Sequence, residues 1–143
     1  MALLLEKMQR YYRAPCLPRE TILRDLASLP AGIEILVAET DRIVSFVTFS
    51  AIYPGPRLKG GFFLKELFVE DVARGSGVGT RLLQAVARIA LERGLKRVDW
   101  TADRNNPDLL DYYDRTGAVR EEDKVFFWLA GDALTKFASR QDD

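Results

Sequence analysis

Between Arg74 and Thr80 the chain reads Arg-Gly-Ser-Gly-Val-Gly-Thr, with glycine at 75, 77 and 79. Glycines let a backbone approach a ligand closely, and successive N–H groups in such a turn can converge on one anion. Val78, Leu82, Val86, Ile89 and Ala90 follow at helical spacing, so the turn opens a helix. The N-terminus of a helix carries about half a positive charge. The segment is therefore either a phosphate cradle or a tight strand-to-helix turn. Two phosphate loops fail on spacing. A Walker loop needs Lys-Ser/Thr after its last glycine, and Gly79 is followed by Thr80 and Arg81. A dinucleotide fingerprint needs Gly-x-Gly-x-x-Gly, against Gly75-x-Gly77-x-Gly79 here, although Asp99 lies where a ribose-binding acid would be expected.

The remaining chemistry is bounded by what is absent. The 143 residues include no histidine and one cysteine, Cys16. Ser-His-Asp triads, Cys-His pairs and His-based metal sites are thereby excluded, and no metal is expected. Acids and bases must be Tyr, Asp, Glu, Lys, water or the backbone. A lone cysteine makes no intramolecular disulfide, so the core must hold the fold. Lys plus Arg and Asp plus Glu are 21 each, a balance that points to no nucleic-acid partner. No apolar stretch approaches a membrane span, and the apolar start Met1-Ala-Leu-Leu-Leu lacks the length and basic flank of a signal peptide, so a cytoplasmic protein is expected. The mass of 16.2 kDa suits a single domain over residues 1–143.

The elements that position these groups follow from periodicity and punctuation. Leu4, Met8, Tyr11 and Tyr12 predict an amphipathic helix over residues 3–13, ended by Pro15 and Pro18. Pro18 opens a second short helix with Ile22, Leu23 and Leu26 on one face, closed by Pro30-Ala31-Gly32. Residues 33–39 and 42–50 are β-rich and read as a hairpin, and 62–69 as a third strand after Gly60-Gly61. Gly94 caps the helix after the glycine turn, and residues 95–101 predict a strand reached by a crossover, hence parallel. Asn105-Asn106-Pro107 starts a helix carrying Leu109, Leu110 and Tyr113 that ends at Gly117. Residues 125–129 predict a further strand, and Asp132 is expected to cap a last helix running to about Ser139. The fold class is α/β, with antiparallel strands first and a parallel strand-helix-strand crossover later, flanked by helices.

Arg74, Gly77 and Gly79 also match Arg-x-x-Gly-x-Gly/Ala, and here the chain resembles the GNAT superfamily of N-acetyltransferases. Leu67-Phe68-Val69, just before the loop, is similar to the family's strand end. Asn106, with Tyr113 seven residues on and Gly117 four beyond that, is similar to its second half-motif. The closing segment from Val125 to Ala138 resembles that of diamine N-acetyltransferase-like members, which is the closest motif texture. Two departures stand out. Family members usually begin with a strand, whereas this chain starts in the first helix, so the first strand is missing or reduced to residues around Leu3 to Leu5. The uncovered sheet edge calls for another segment or a partner subunit to cover it, and a homodimer is the favoured expectation. Diamine-type members carry Glu-Asp before Leu-Phe-Val, and here the pair is Lys65-Glu66, poorly suited to a polycation.

The resemblance implies direct transfer of an acetyl group from acetyl-CoA to a primary amine of a small molecule or peptide, in a ternary complex. Arg74, Gly75, Ser76, Gly77, Val78, Gly79 and Thr80 would hold the pyrophosphate, with Arg81 a further phosphate ligand or a solvated helix charge. Leu67, Phe68 and Val69 would fix the pantetheine arm, the Val69 N–H facing the developing oxyanion. Asn106 would bond the same arm or simply cap its helix. Tyr113 would protonate the leaving thiolate, a phenol near pKa ~10 being matched to a thiol near ~8.5; the alternative is a core aromatic. Glu66, expected on one face with Leu64 and Phe68, is the candidate base, with a water chain to Glu34 or Glu39 as the alternative. Tyr11, Tyr12, Phe49 and Tyr53 are candidate acceptor-pocket walls or core residues. Cys16 takes part in no step. Two other readings remain: a non-catalytic acyl-CoA-binding or regulatory module on the same fold, and a Rossmann-type nucleotide-binding domain.

Overall fold

In the computed structural model, which describes residues 1–140, four strands form one mixed sheet in the order β1-β2-β3-β4. The last three positions of the expected 1–143 domain lie outside the described residues. Two compact units are present, Met1–Thr101 and a second from Ala102 onward.

In the first unit, β1 (Ile33–Glu39) and β2 (Ile43–Ile52) make the expected hairpin, running from Ile33 opposite Ser50 to Glu39 opposite Ile43. β3 (Gly61–Val69) pairs antiparallel with β2. Its register shifts once, because Thr48 faces Glu66 while Phe49 faces Leu64, which leaves Lys65 as the extra residue of a β-bulge. A bulge changes the parity of a strand, so side chains on either side of it follow opposite alternations. Phe62, Leu64, Leu67 and Val69 therefore share one face with Phe49, whereas Phe63, Glu66 and Phe68 share the other with Phe46.

Each face is covered by helix. On the Phe46 side lies α1 (Ala2–Tyr11), whose Leu4 forms a buried cluster with Phe46 and Phe68, flanked by Met8 and Ile35. The expected remnant strand at Leu3 to Leu5 is thus part of α1, and among the described residues no strand precedes β1. α2 (Arg19–Ala27) follows Pro18 and buries Ile22. On the Phe49 side, where Phe49 and Phe62 meet edge to face with centroids 4.9 Å apart, α3 (Val78–Glu92) packs its stripe of Leu82, Leu83, Val86 and Ala90. Gly94, at φ 74°, ends α3 as expected of a left-handed cap.

The crossover strand is much shorter than the sequence suggests. Of residues 95–101, only β4 (Val98–Asp99) enters the sheet, parallel to Phe62 and Phe63. Pairing stops there, so the β4 side of Leu64 to Val69 carries no ladder partner among the described residues.

In the second unit, α4 (Pro107–Arg115) starts with Pro107 after the capping Asn106. α5 (Gly131–Ala138) has Ala130 at its cap position, without a side-chain bond. Asp132 sits one residue inside the first turn, where its charge meets the helix dipole, so it is not the cap expected from the sequence. Residues 125–129 form no ladder among the described residues, which overturns the expected strand. β-branched and aromatic residues favour a pleated surface only when a neighbour supplies the pairing and packing. No helix among the described residues is long and apolar enough to cross a membrane.

Candidate active site

The residues with chemistry gather at the C-terminal end of β3. Glu66 and Phe68 face α1 there, and α1 brings Tyr11 and Tyr12 to the same place from its last turn. The Tyr12 hydroxyl donates to Glu66 Oε1 at 2.7 Å. Tyr11 packs edge to face on Phe68, with centroids 6.0 Å apart. Both tyrosines are about half exposed, so they line a surface near Glu66 and are not core. Phe49 is core, and Tyr53 is exposed. The expectation that Glu66 shares a face with Leu64 is corrected by the bulge: its half-buried carboxylate lies on the Phe68 side alone.

The strand end is held from several directions. Buried Ser45 donates through Oγ to the Phe68 carbonyl at 2.8 Å. Arg74 donates through Nε to the Val69 carbonyl at 3.1 Å, pairs with Asp71 at 2.8 Å, and stacks 4.6 Å from the Tyr11 ring centroid. The motif arginine thus ties strand, loop and α1 together. Glu70, the next residue after Val69, is buried and receives Lys7 of α1 and a two-point contact from Arg42 (3.0 and 2.9 Å) at the β1–β2 turn. Sequence reading missed this cluster, because its three members lie far apart in the chain and belong to no motif.

Beyond Arg74 the chain turns into α3. Gly75 and Gly77 both have φ of 77°, a left-handed backbone that costs an L side chain roughly 1–2 kcal/mol. Gly79 lies close against the strand, since a Cβ there would sit 3.2 Å from Val69 Cγ2, a tight contact. The helix start and the strand end are therefore in contact. Arg81 makes the first helical hydrogen bond, from its N–H to the Gly77 carbonyl, and the N–H groups of Val78, Gly79 and Thr80 come before it. The Arg81 side chain folds back over the turn to donate to the Ser76 carbonyl at 3.3 Å. Leu67, Phe68, Val69, Gly75, Ser76, Gly77, Val78, Gly79 and Thr80 are consequently brought into one continuous feature: strand edge, turn and helix N-terminus.

Glu34 is engaged elsewhere. Its carboxylate is gripped by both terminal nitrogens of Arg93, at the end of α3, and this bonding holds it below the usual carboxylate range. A carboxylate so paired is a poor proton acceptor. Cys16 is exposed.

Asn106 and Tyr113 belong to the second unit. Asn106 accepts from the Leu109 N–H at 3.2 Å through Oδ1, so it is a helix cap whatever else it does. Tyr113 is half-buried on α4, its ring 5.2 Å from that of Tyr112, and its carbonyl accepts from the Thr116 hydroxyl at 2.6 Å.

Known proteins are similar to this chain in sequence and in fold. The sequence model of the acetyltransferase (GNAT) family matches residues 2–118. An L-ornithine N5-acetyltransferase from Arabidopsis thaliana is 34% identical over 92 residues, which are 64% of this chain and 40% of the relative. The chain thus spans less than half the length of that protein. An integron cassette protein from the mobile metagenome of V. cholerae superposes with a TM-score of 0.85 at 29% identity, covering 96% of this chain and 88% of that one. An aminoglycoside acetyltransferase from an uncultured soil metagenomic sample has the same fold, with a TM-score of 0.74 at 22% identity over 90% of this chain and 86% of that one.

Proposed function

Because the chain belongs to the acetyltransferase (GNAT) family, we propose that it transfers an acetyl group from acetyl-CoA directly to a primary amine of a small molecule or peptide. One observation carries this reading. Among the described residues β4 pairs with β3 only at Phe62 and Phe63, and beyond them the strand continues through Leu67, Phe68 and Val69 to a short 3-10 turn, the glycines and the N-terminus of α3. An extended arm bearing amides can lie along an unpaired strand edge as an added strand, while its phosphates meet helix N–H groups. The pantetheine arm and pyrophosphate of CoA have that sequence of groups.

When bound, acetyl-CoA supplies an activated thioester. Leu67, Phe68 and Val69 hold the arm, the Val69 N–H donating toward the acetyl oxygen as negative charge develops there. The Phe68 and Val69 carbonyls are already committed to Ser45 and Arg74, which fixes the strand end in place. The backbone from Gly75 to Thr80 receives the pyrophosphate through the N–H groups of the turn, that of Ser76 donating also to the Ala73 carbonyl at 3.4 Å. Arg81 lies over the turn, and Arg74 adds charge at its start. Asn106, its Oδ1 engaged by the helix, offers Nδ2 to the arm.

The attacking nitrogen must first lose a proton, since an alkyl amine is almost fully protonated near neutrality. Glu66 takes that proton, with Tyr12 holding one oxygen of the carboxylate. The N–C bond then forms as the C–S bond breaks, and the second proton that the nitrogen must lose to become an amide passes to solvent. Tyr113 gives its phenolic proton to the departing thiolate and is reprotonated from solvent. No step uses histidine, cysteine or a metal. Ornithine and aminoglycosides, named for two of the similar proteins, carry primary amines, which supports a small-molecule acceptor.

A thermal-shift comparison of CoA, acetyl-CoA, NAD and ATP tests the cosubstrate, because a ligand at a hundredfold over its Kd stabilises by about 2.7 kcal/mol. Stabilisation by CoA and acetyl-CoA but not NAD is expected. A thiol-release assay over ornithine-like diamines, aminoglycosides and peptides then tests transfer. CoA binding without turnover on any amine would make the protein a binding module, and a shift with NAD alone would overturn the cosubstrate.

A further inference from the structure

We propose that the end of the sheet where the loop between β2 and β3 meets the loop between α3 and β4 binds a small anion of three or more charges, a triphosphate or a tricarboxylate. The site is a cavity ringed by Arg57, Lys59, Lys96 and Arg97. It does not depend on the acetyl-transfer reading.

Glycines let the two loops meet. The Phe62 N–H donates to the Arg97 carbonyl at 2.9 Å, and a Cβ at Gly61 would lie 2.8 Å from that carbonyl oxygen. A Cβ at Gly60 would press on Leu95 Cδ2 at 3.1 Å. Residues 95–97 are thus drawn against residues 60–62. The β2–β3 loop is closed on itself, the Gly55 N–H donating to the Lys59 carbonyl at 2.6 Å and the Leu58 N–H to the Gly55 carbonyl at 3.0 Å. Within it Arg57 and Leu58 have φ of 58° and 60°, a left-handed backbone uncommon outside glycine. Such conformations persist where their surroundings enforce them, and they gather at ligand-binding segments.

The result is a cavity of about 320 Å³ lined by Arg57, Lys59, Gly60, Lys96 and Arg97, the size of a compact small-molecule site. All four cations are exposed. Asp99 offsets Arg97, whereas Arg57, Lys59 and Lys96 make no ion pair among the described residues. A helix C-terminus favours cations for its own sake, which accounts for Lys96 and Arg97 just after α3. It does not account for Arg57 and Lys59, which come from a loop between strands. Cations gathered around one concavity repel one another, and a multivalent anion relieves that repulsion. Guanidinium forks grip phosphate or carboxylate oxygens two at a time. The cavity is separate from the glycine turn. β3 has nine residues, so at about 3.3 Å per residue its ends lie about 25 Å apart, with the cavity at Gly61 and the turn beyond Val69.

Calorimetric titration of the full chain with inorganic triphosphate, citrate and inorganic phosphate in low salt tests the proposal. Triphosphate or citrate should bind at least about tenfold tighter than phosphate, and the tighter of the two distinguishes a phosphate ligand from a carboxylate one. Arg57→Asn combined with Lys96→Gln should weaken that binding about a hundredfold, each charged contact being worth about tenfold. Its thermal midpoint should not move, since both side chains are exposed and asparagine tolerates positive φ. The glycine turn could also take phosphates, so Arg81→Gln is titrated in parallel and should keep the binding. No binding of either anion overturns the proposal. So does binding that survives in the double variant, or that is lost with Arg81→Gln alone. A single-stranded RNA bound in preference to both anions overturns it in favour of a nucleic acid. CoA is titrated separately on each variant, and its affinity should be the same in the wild type and the double variant. Failure of the anion site and failure of the acetyl-transfer reading are thereby distinguishable.

Discussion

The Tyr12 hydroxyl donates a 2.7 Å hydrogen bond to Glu66 Oε1, joining the end of α1 to the strand at which transfer is proposed. The bond holds the carboxylate by one oxygen from outside the strand. Glu66→Gln removes the proton acceptor and should lower kcat by about 10²–10⁴. Tyr12→Phe keeps the carboxylate and should cost less. Steady-state thiol release measures both, and a Glu66→Gln enzyme as fast as wild type would exclude the carboxylate as base.

Gly77 has room for a methyl group, the nearest atom to a built Cβ being Arg81 Nη1 at 3.5 Å, but its φ of 77° is strained for alanine. Gly77→Ala should cost about 1–2 kcal/mol in urea unfolding and weaken CoA binding, because the first turn of α3 must shift. Arg81→Gln should weaken CoA with little change in stability, since the side chain is exposed. Calorimetric titration separates the two effects. Unaltered CoA affinity in both variants would move the pyrophosphate elsewhere.

Tyr113→Phe removes one oxygen from a half-buried ring. If the phenol protonates the thiolate, turnover should fall by about 10²–10⁴ while the CoA-induced thermal shift persists. A fall in CoA affinity with kcat retained would instead make Tyr113 a packing or binding residue.

The Glu34–Arg93 pair gives stability a definite acid dependence. Arg93 holds the Glu34 carboxylate below its unfolded value of 4.5. A depressed folded pKa adds stability that is fully present above the unfolded value and is lost as pH falls through the folded one. Melting midpoints should therefore drop below about pH 4.5, and Glu34→Gln should flatten that drop while lowering the midpoint near neutrality. The effect is modest, because the pair is partly exposed to solvent. An unchanged acid slope in Glu34→Gln would show that other carboxylates, such as Glu6 and Asp41, which are also held low, dominate.

Local patterns carried far in this chain. β1 runs from Ile33 to Glu39 as its β-rich composition suggests, Asn106 caps α4, and glycines 75, 77 and 79 lie in the turn and helix start their spacing suggests. Each depends on neighbours a few residues away. Where the sequence misled, the deciding partner was distant. Residues 95–101 look uniformly like strand, yet pairing ends at Asp99. Residues 125–129 have strand propensity but form no ladder among the described residues. The bulge at Lys65 reflects a register with β2 that no pattern within β3 encodes. The contact of Glu70 with Lys7 and Arg42 joins groups 63 and 28 positions apart.

That bulge makes the side of the sheet on which Glu66 stands a matter of counting. Phe62, pressed on Phe49, fixes the parity of the upstream half of β3, and Phe68, beside Phe46, fixes that of the downstream half. Removing one residue between them would force one of these rings out of its core in order to keep the other. Adding one would do the same. The identity of residue 66 is therefore open to replacement without disturbing either anchor, whereas the length of the strand is not. Its chemistry is editable, and its ruler is locked at both ends.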